Sequence, residues 1–302
     1  MALIMLVLLA GCDQPAQVQT IDFARTTPVA RPGQEEGAPR QLRMAVAAMT
    51  SPQETFHNYQ ELTEYIGRRL GLPASLAQRK TYAEIDQMLA RGELDVAFVC
   101  SGPYAAQGET PAFELLAAPV VGGQTTYRAY LIVGRDSPHQ SLEDLRGKVF
   151  AFTDPDSNTG RLVPQAWLAA MGQRPETFFA QTIYTYSHDS SIQAVARGLV
   201  DGAAVDGLVW DFLARRRPEL ADRTRVIRVS EPYGIPPVVA GAALAAEQKA
   251  AVKAALLAMA DDPQGRRILD ALMIDGFVAA RSQWYDSIRR LREGLHAAVV
   301  QP

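Results

Sequence analysis

A two-lobed α/β protein is the fold class this sequence predicts, on three observations. The chain has 302 residues, 48% hydrophobic and 21% charged, a globular composition long enough for two domains. One pattern of strand, polar loop and amphipathic helix is written twice, about a hundred residues apart. Two further strand-like segments, residues 127–133 and 233–240, lie where the chain would cross between the two copies.

The first copy opens with an apolar run at 44–49 ending in Thr50-Ser51-Pro52, and the second with 149–152 ending in Thr153-Asp154-Pro155. Each then passes into a helical stripe closed by glycine: Tyr59, Leu62, Ile66, Leu70 and Gly71, then Leu162, Val163, Trp167, Met171 and Gly172. Farther on, Ala90-Arg91-Gly92-Glu93-Leu94-Asp95-Val96-Ala97 is echoed by Ala196-Arg197-Gly198-Leu199-Val200-Asp201-Gly202-Ala203. Both read as a helix end, a glycine stop and the next strand, so a parallel sheet is expected twice. Lobe 1 is expected over 42–125 plus 237–302 and lobe 2 over 126–236, joined by a two-segment hinge. The tail reads as a helix at 245–259 and a longer one with the stripe Trp284, Ile288, Leu291 and Leu295, packing on lobe 1.

Residues 2–10 are almost wholly apolar and lead into Gly11 and Cys12. That run is too short to cross a bilayer. It resembles a secretory h-region, and Leu9-Ala10-Gly11-Cys12 looks like the lipobox at which bacterial lipoproteins are acylated, although no Lys or Arg precedes it. Residues 13–41, rich in Pro, Gln, Ala, Thr and Gly, read as a disordered tether. A protein lipid-anchored through Cys12, in the periplasm or at the cell surface, is therefore expected.

Net charge is -3, and the one basic run, Arg215-Arg216-Arg217, reads as a helix end, so no nucleic-acid partner is expected. No G-x-S-x-G elbow, phosphate-binding P-loop, dinucleotide fingerprint or Cys/His metal spacing occurs. The expectation is a monomer without enzymatic turnover, cofactor or metal. Cys100, the one cysteine besides Cys12, ends an apolar run and reads as a small buried hydrophobe.

In an open α/β sheet, ligands sit beyond the carboxyl ends of the strands, where helix N-termini present unpaired N–H groups. The loop Asp154-Pro155-Asp156-Ser157-Asn158-Thr159-Gly160 places two hydroxyls, an amide and a glycine at such a point. Those donors suit a tetrahedral oxyanion, though Ser157 or Asn158 is equally an N-cap. Tyr186-Ser187-His188-Asp189-Ser190-Ser191 and the strand-end Asp206 make two more polar strand ends. From lobe 1 the candidates are Thr50, Tyr59 (as compatible with core as with a site), Ser101 and Tyr104. No Arg or Lys stands in these loops, and Arg128 in the crossing strand is the nearest candidate cation, a solvated hinge residue being the commoner case.

Together the loop 154–160, Ser187-His188-Asp189-Ser190-Ser191-Ile192, Val200-Asp201-Gly202-Ala203-Ala204-Val205-Asp206, residues 94–104 and 127–133 resemble the substrate-binding proteins of phosphate, phosphite and phosphonate ABC importers. The resemblance covers roughly residues 42–275. It implies a type II periplasmic-binding-protein fold that closes by hinge motion on a small phosphorus oxyanion for a membrane permease. By that resemblance Ser157, Asn158 and Thr159 hold the ligand oxygens with His188 beside them. Asp206 faces the ligand from the same lobe, while Tyr59, Ser101 and Tyr104 close from the other. The family often has serine or threonine where this chain has Asn158. A carboxylate beside an oxyanion makes sense when it accepts a ligand O–H and so rejects a fully ionised competitor. A ligand sensor, or a binder of another small organic anion, remains the alternative.

Overall fold

The computed structural model describes residues 40–47, 52–108 and 111–300, with 52–58 and 298–300 described as backbone. Cys12, the tether and Thr50 lie outside the described residues. The described residues form one compact unit built on two sheets.

The chain opens with β1 (Leu42–Val46), α1 (Pro52–Leu70), β2 (Ala74–Ala77), α2 (Tyr82–Ala90), β3 (Val96–Phe98), α3 (Ser101–Ala106) and β4 (Phe113–Val120). It crosses at β5 (Thr126–Tyr127) and builds β6 (Ala129–Gly134), β7 (Val149–Phe152), α4 (Val163–Ala170), α5 (Pro175–Phe178), β8 (Gln181–Tyr184) and α6 (His188–Ala196). There follow β9 (Gly202–Asp206), α7 (Gly207–Arg216), α8 (Pro218–Ala221) and β10 (Thr224–Val229). The return runs through β11 (Tyr233–Gly234) and β12 (Val238–Gly241) to α9 (Ala246–Leu257), α10 (Pro263–Leu272), β13 (Gly276–Val278) and α11 (Asp286–Val300).

Strand order is β13-β4-β12-β3-β1-β2 in the first lobe and β10-β6-β9-β7-β8 in the second. The parallel part is as expected: β1 runs parallel to β2 and β3, and β7 to β8 and β9. The rest is antiparallel, with β12 against β3 and β6 against β9. These are the strands that enter each lobe from the other, so they run against the strands made in place. The crossings themselves, β5 and β11, pair as a two-stranded antiparallel ribbon.

The repeated sentence has a repeated physical meaning. Asp95 and Asp201 each precede the third strand of their unit. The Asp95 carboxylate accepts the Arg43 N–H at 2.8 Å, and that of Asp201 accepts the Val149 N–H at 2.8 Å. Each carboxylate thus clamps the start of the first strand of its unit, satisfying a backbone donor outside the ladder. Gly92 and Gly198, both at φ +67, make the left-handed turn that stops the helix before each clamp.

The tail departs from expectation in two ways. α10, capped by Asp262 through the Gln264 N–H, and β13 on the sheet edge lie between the two helices read from sequence. The last helix, α11, packs on α3 of the first lobe and also on α4 of the second, so it spans the seam. Its stripe carries Ile288, which is fully buried.

Candidate functional site

Several helices begin at the carboxyl ends of strands, on the side where the two lobes meet. α3 follows β3, the helix leading into α4 follows β7, α6 follows β8, and α7 follows β9. Their first N–H groups lack intrahelical partners and carry partial positive charge. A side-chain cation stands beside them: Arg161, in the turn after β7, donates to the Pro155 carbonyl at 2.6 Å, acts on Asp154, and keeps a buried Nε without a partner. Arg128 is exposed and its guanidinium donates to the Ser230 carbonyl, so it struts the hinge.

The loop after β7 is largely buried, with Asp156 half-buried. Asp154, Ser157, Asn158 and Thr159 are each no more than 1% exposed. Asp154 accepts the Asp156 N–H at 2.8 Å from its own loop and the Tyr82 N–H at 3.2 Å from the other lobe. Ser157 Oγ accepts the Gly160 N–H at 3.0 Å, so Ser157 is an N-cap, with its own O–H still to donate. The helix opens with a π turn over Asn158–Leu162, which widens the first turn. Gly160 is required there, because a Cβ would fall 2.4 Å from Thr153 Oγ1.

Three buried polar atoms have no hydrogen-bond partner at this place: Asn158 Oδ1, Thr159 Oγ1 and Tyr82 Oη. Leaving one such group dry costs about 1–3 kcal/mol, so three in one neighbourhood mark a place suited to a polar ligand. Asn158 Nδ2 donates to Tyr127 Oη at 3.1 Å. With the amide turned over, Tyr127 donates to Oδ1 and the NH2 group becomes free for an anion. Burial pushes the phenols of Tyr82 and Tyr127 well above their ordinary value, with Cys100 and the negative charge of Asp206 adding to it. Both remain O–H donors.

His188 begins α6 and is buried. Its Nδ1 accepts the Asp206 N–H at 3.0 Å and lies 3.1 Å from Thr153 Oγ1. Burial lowers its pKa to about 3, so the ring is neutral and Nε2 carries the proton. Asp206 caps α7 by accepting the Leu208 N–H at 2.8 Å. Burial pushes its carboxyl up to about 7, against the lowering effect of the Leu208 and Val209 N–H groups. Tyr59 stacks edge-on against Phe98 with centroids 5.2 Å apart, and burial, with Asp206 nearby, pushes it up to about 12.

The structure thus brings Ser157, Asn158, Thr159, His188 and Asp206 to one chamber, with Tyr59 near Asp206. Ser101 stands against Tyr127 as well as Gly234 of the hinge ribbon, while Tyr104 packs on Tyr285. Ser101 Oγ donates to the Gly234 carbonyl at 2.6 Å, holding α3 to the hinge ribbon. The Tyr104 ring packs edge-on against Tyr285 at 4.5 Å, with the Arg289 guanidinium 5.9 Å from its centroid, so it belongs to the α11 packing. Cys100 is buried and pushed up to about 12 by that burial, an un-ionised thiol in the chamber wall.

Tyr82 and Tyr127 escaped the sequence reading. Tyr82 sits at the first position of a helix whose cap is legible as Thr81-x-x-Glu84, with both reciprocal bonds formed. An aromatic there reads as core until its hydroxyl is seen to lack a partner. Tyr127 lies inside a strand-like hinge run.

The lobes are drawn together over the chamber. Besides the Tyr82–Asp154 bond, Lys80 Nζ stands 4.4 Å from the Tyr186 ring centroid and Arg216 donates to the Ala271 carbonyl at 2.8 Å. A Cβ on Gly102 would lie 2.3 Å from the Asp156 carbonyl oxygen, so only glycine permits this approach.

Comparisons with known proteins bear on the fold and the family. Residues 44–285 match the family described as ABC transporter, phosphonate, periplasmic substrate-binding protein. The phosphate-import protein PhnD of Mycolicibacterium smegmatis is 28% identical over 185 residues, which is 58% of this chain and 58% of that protein. The match therefore spans less than two thirds of that relative. A binding-protein component of an ABC phosphonate transporter from Pseudomonas aeruginosa shares the fold at TM-score 0.82 and 24% identity, covering 87% of this chain and 88% of its own. PhnD1 of Prochlorococcus marinus, solved in complex with methylphosphonate, does so at 0.77 and 18%, covering 85% and 99%.

Proposed function

The chain belongs to the family of periplasmic substrate-binding proteins of phosphonate ABC transporters, and on that premise we propose that it captures a small phosphorus oxyanion in the interlobe chamber. Phosphonate, phosphite and phosphate are the candidate ligands, delivered without chemical turnover to the membrane permease of an importer. The observation that carries this reading is the trio of unpartnered buried atoms on Asn158, Thr159 and Tyr82, set among helix N-termini.

In this reading Thr159, Ser157, Tyr82, Tyr127, the Asn158 amide and His188 Nε2–H donate to the ligand oxygens. Neutral donors and helix termini suffice for an anion when they are preorganised and dry. Asp206 accepts the one proton of a monoanion and repels a fully ionised competitor. Tyr59 closes the mouth, while Ser101 and Tyr104 hold the wall formed by α3. The apolar run ending in Leu9-Ala10-Gly11-Cys12 supports export and attachment through lipidated Cys12, checked by mass spectrometry of the membrane-extracted protein.

The test is thermal unfolding of the purified protein with phosphate, phosphite, methylphosphonate, 2-aminoethylphosphonate, sulfate and unrelated organic anions in turn. A ligand at 100 times its dissociation constant stabilises by about 2.7 kcal/mol. A rise confined to phosphorus compounds is expected. A response to organic anions alone would overturn the reading.

A further inference from the structure

Next to the chamber lies a second space that a bare oxyanion cannot fill. It is a cavity of about 480 Å³ between α7 of the second lobe and the α10–β13 segment of the first. That volume is in the range that holds an organic ligand, whereas a tetrahedral oxyanion takes only a few times the ~30 Å³ of a water. Tyr59 and Asp206 line the cavity and also stand beside the chamber, where Asp206 acts on Tyr59, Tyr82 and Tyr127. The Asp206 N–H is bonded to His188 Nδ1 at 3.0 Å, so the cavity and the oxyanion residues meet at Asp206.

The cavity walls define what enters. Val46, Phe98, Leu208, Phe212, Ile235 and Pro236 make an apolar lining. Four carboxylates, Asp206, Asp211, Asp270 and Asp275, stand there against two guanidiniums, Arg215 and Arg266. Arg266 donates to Asp270 Oδ1 at 2.8 Å and to the carbonyls of Asp275 and Ile274 at 2.6 and 2.7 Å. Arg215 acts on Asp211. The balance is acidic, so a second anionic group on the ligand would be repelled.

We propose that the ligand is an organophosphorus anion, a phosphonate or a phosphate monoester, bearing an apolar substituent of about phenyl size and no second anionic group, with its phosphorus head in the chamber and its substituent in the α7–α10 cavity. This rests on the chamber being the oxyanion site. Burial of the substituent against the apolar lining adds affinity that a methyl group cannot reach.

Isothermal titration of the protein with methylphosphonate, benzylphosphonate and the para-carboxylate analogue of benzylphosphonate tests it. Benzylphosphonate is expected to bind at least tenfold tighter than methylphosphonate, and the added carboxylate to erase the gain. Phe212→Ala should weaken benzylphosphonate at least fivefold while changing methylphosphonate less than twofold, the latter also reporting that the variant is folded. Binding of methylphosphonate with equal or weaker binding of benzylphosphonate would overturn the substituent proposal and leave the oxyanion site standing. Equal loss of both ligands in Phe212→Ala would do the same. Binding of none of the three would overturn the oxyanion reading and this proposal with it.

Discussion

Replacing Asp206 by Asn removes a charge from the chamber while keeping an oxygen that accepts the Leu208 N–H and caps α7. In the folded protein burial lifts the Asp206 carboxyl from its ordinary 3.8 to about 7. Between those values the native state binds a proton that the unfolded chain has released, so wild-type stability falls as pH rises through that window. At ~1.4 kcal/mol per tenfold change in proton affinity, the separation amounts to about 4 kcal/mol once both states are ionised. The Asp206→Asn protein does not feel this loss. Its advantage over wild type should be near zero below pH 4, grow through pH 4 to 7 and level off near 4 kcal/mol at pH 8. Asp86, also pushed up to about 7 by burial and by Asp156 and Asp154, is common to both proteins and cancels in the difference. So does His188. Urea denaturation of the ligand-free proteins at pH 4, 6 and 8 measures it. With an m-value of about 3 kcal/mol/M, the midpoints at pH 8 should separate by roughly 1 M. Parallel pH profiles, or a less stable Asn variant at pH 8, would refute the assignment of a buried carboxyl that costs the ligand-free fold.

Two further outcomes are expected. Thr159→Ala and Tyr82→Phe each delete a hydroxyl without a partner in the ligand-free protein. Stability should hold or rise slightly, while calorimetry shows oxyanion affinity falling about ten- to a hundredfold, the worth of a hydrogen bond to a charged group. Gly102→Ala places a methyl 2.3 Å from the Asp156 carbonyl oxygen. The lobes should fail to close, so small-angle scattering would show a larger radius of gyration than wild type and oxyanion affinity would drop at least tenfold, with the melting temperature within about 2 °C of wild type. Unchanged binding would mean that contact is not needed for capture.

Much of the fold was legible because it depends on local periodicity. The two copies of strand, loop, helix and glycine stop are set by apolar spacing and by the few residues that tolerate φ +67, and Gly92 and Gly198 sit at such turns. The polar strand ends at 154–160, 187–191 and 206 were legible for the same reason, since helix caps and loop donors are written in consecutive residues. Antiparallel β12 and β6, the edge strand β13 and the placement of α11 across both lobes were not. Pairing direction and docking are settled by where the hinge returns the chain, and no local pattern encodes that.

The site divides along the same line. Sequence by itself determined which donors stand at the strand ends. Only the tertiary structure decided how each is used. It spends Ser101 on the Gly234 carbonyl and Tyr104 on Tyr285. It leaves Tyr82 and Thr159 without partners and lifts Asp206 toward neutrality by burial. The physical reason is that a hydrogen bond's partner and a carboxyl's dielectric surroundings come from residues far apart in the chain, brought together only when the two lobes meet.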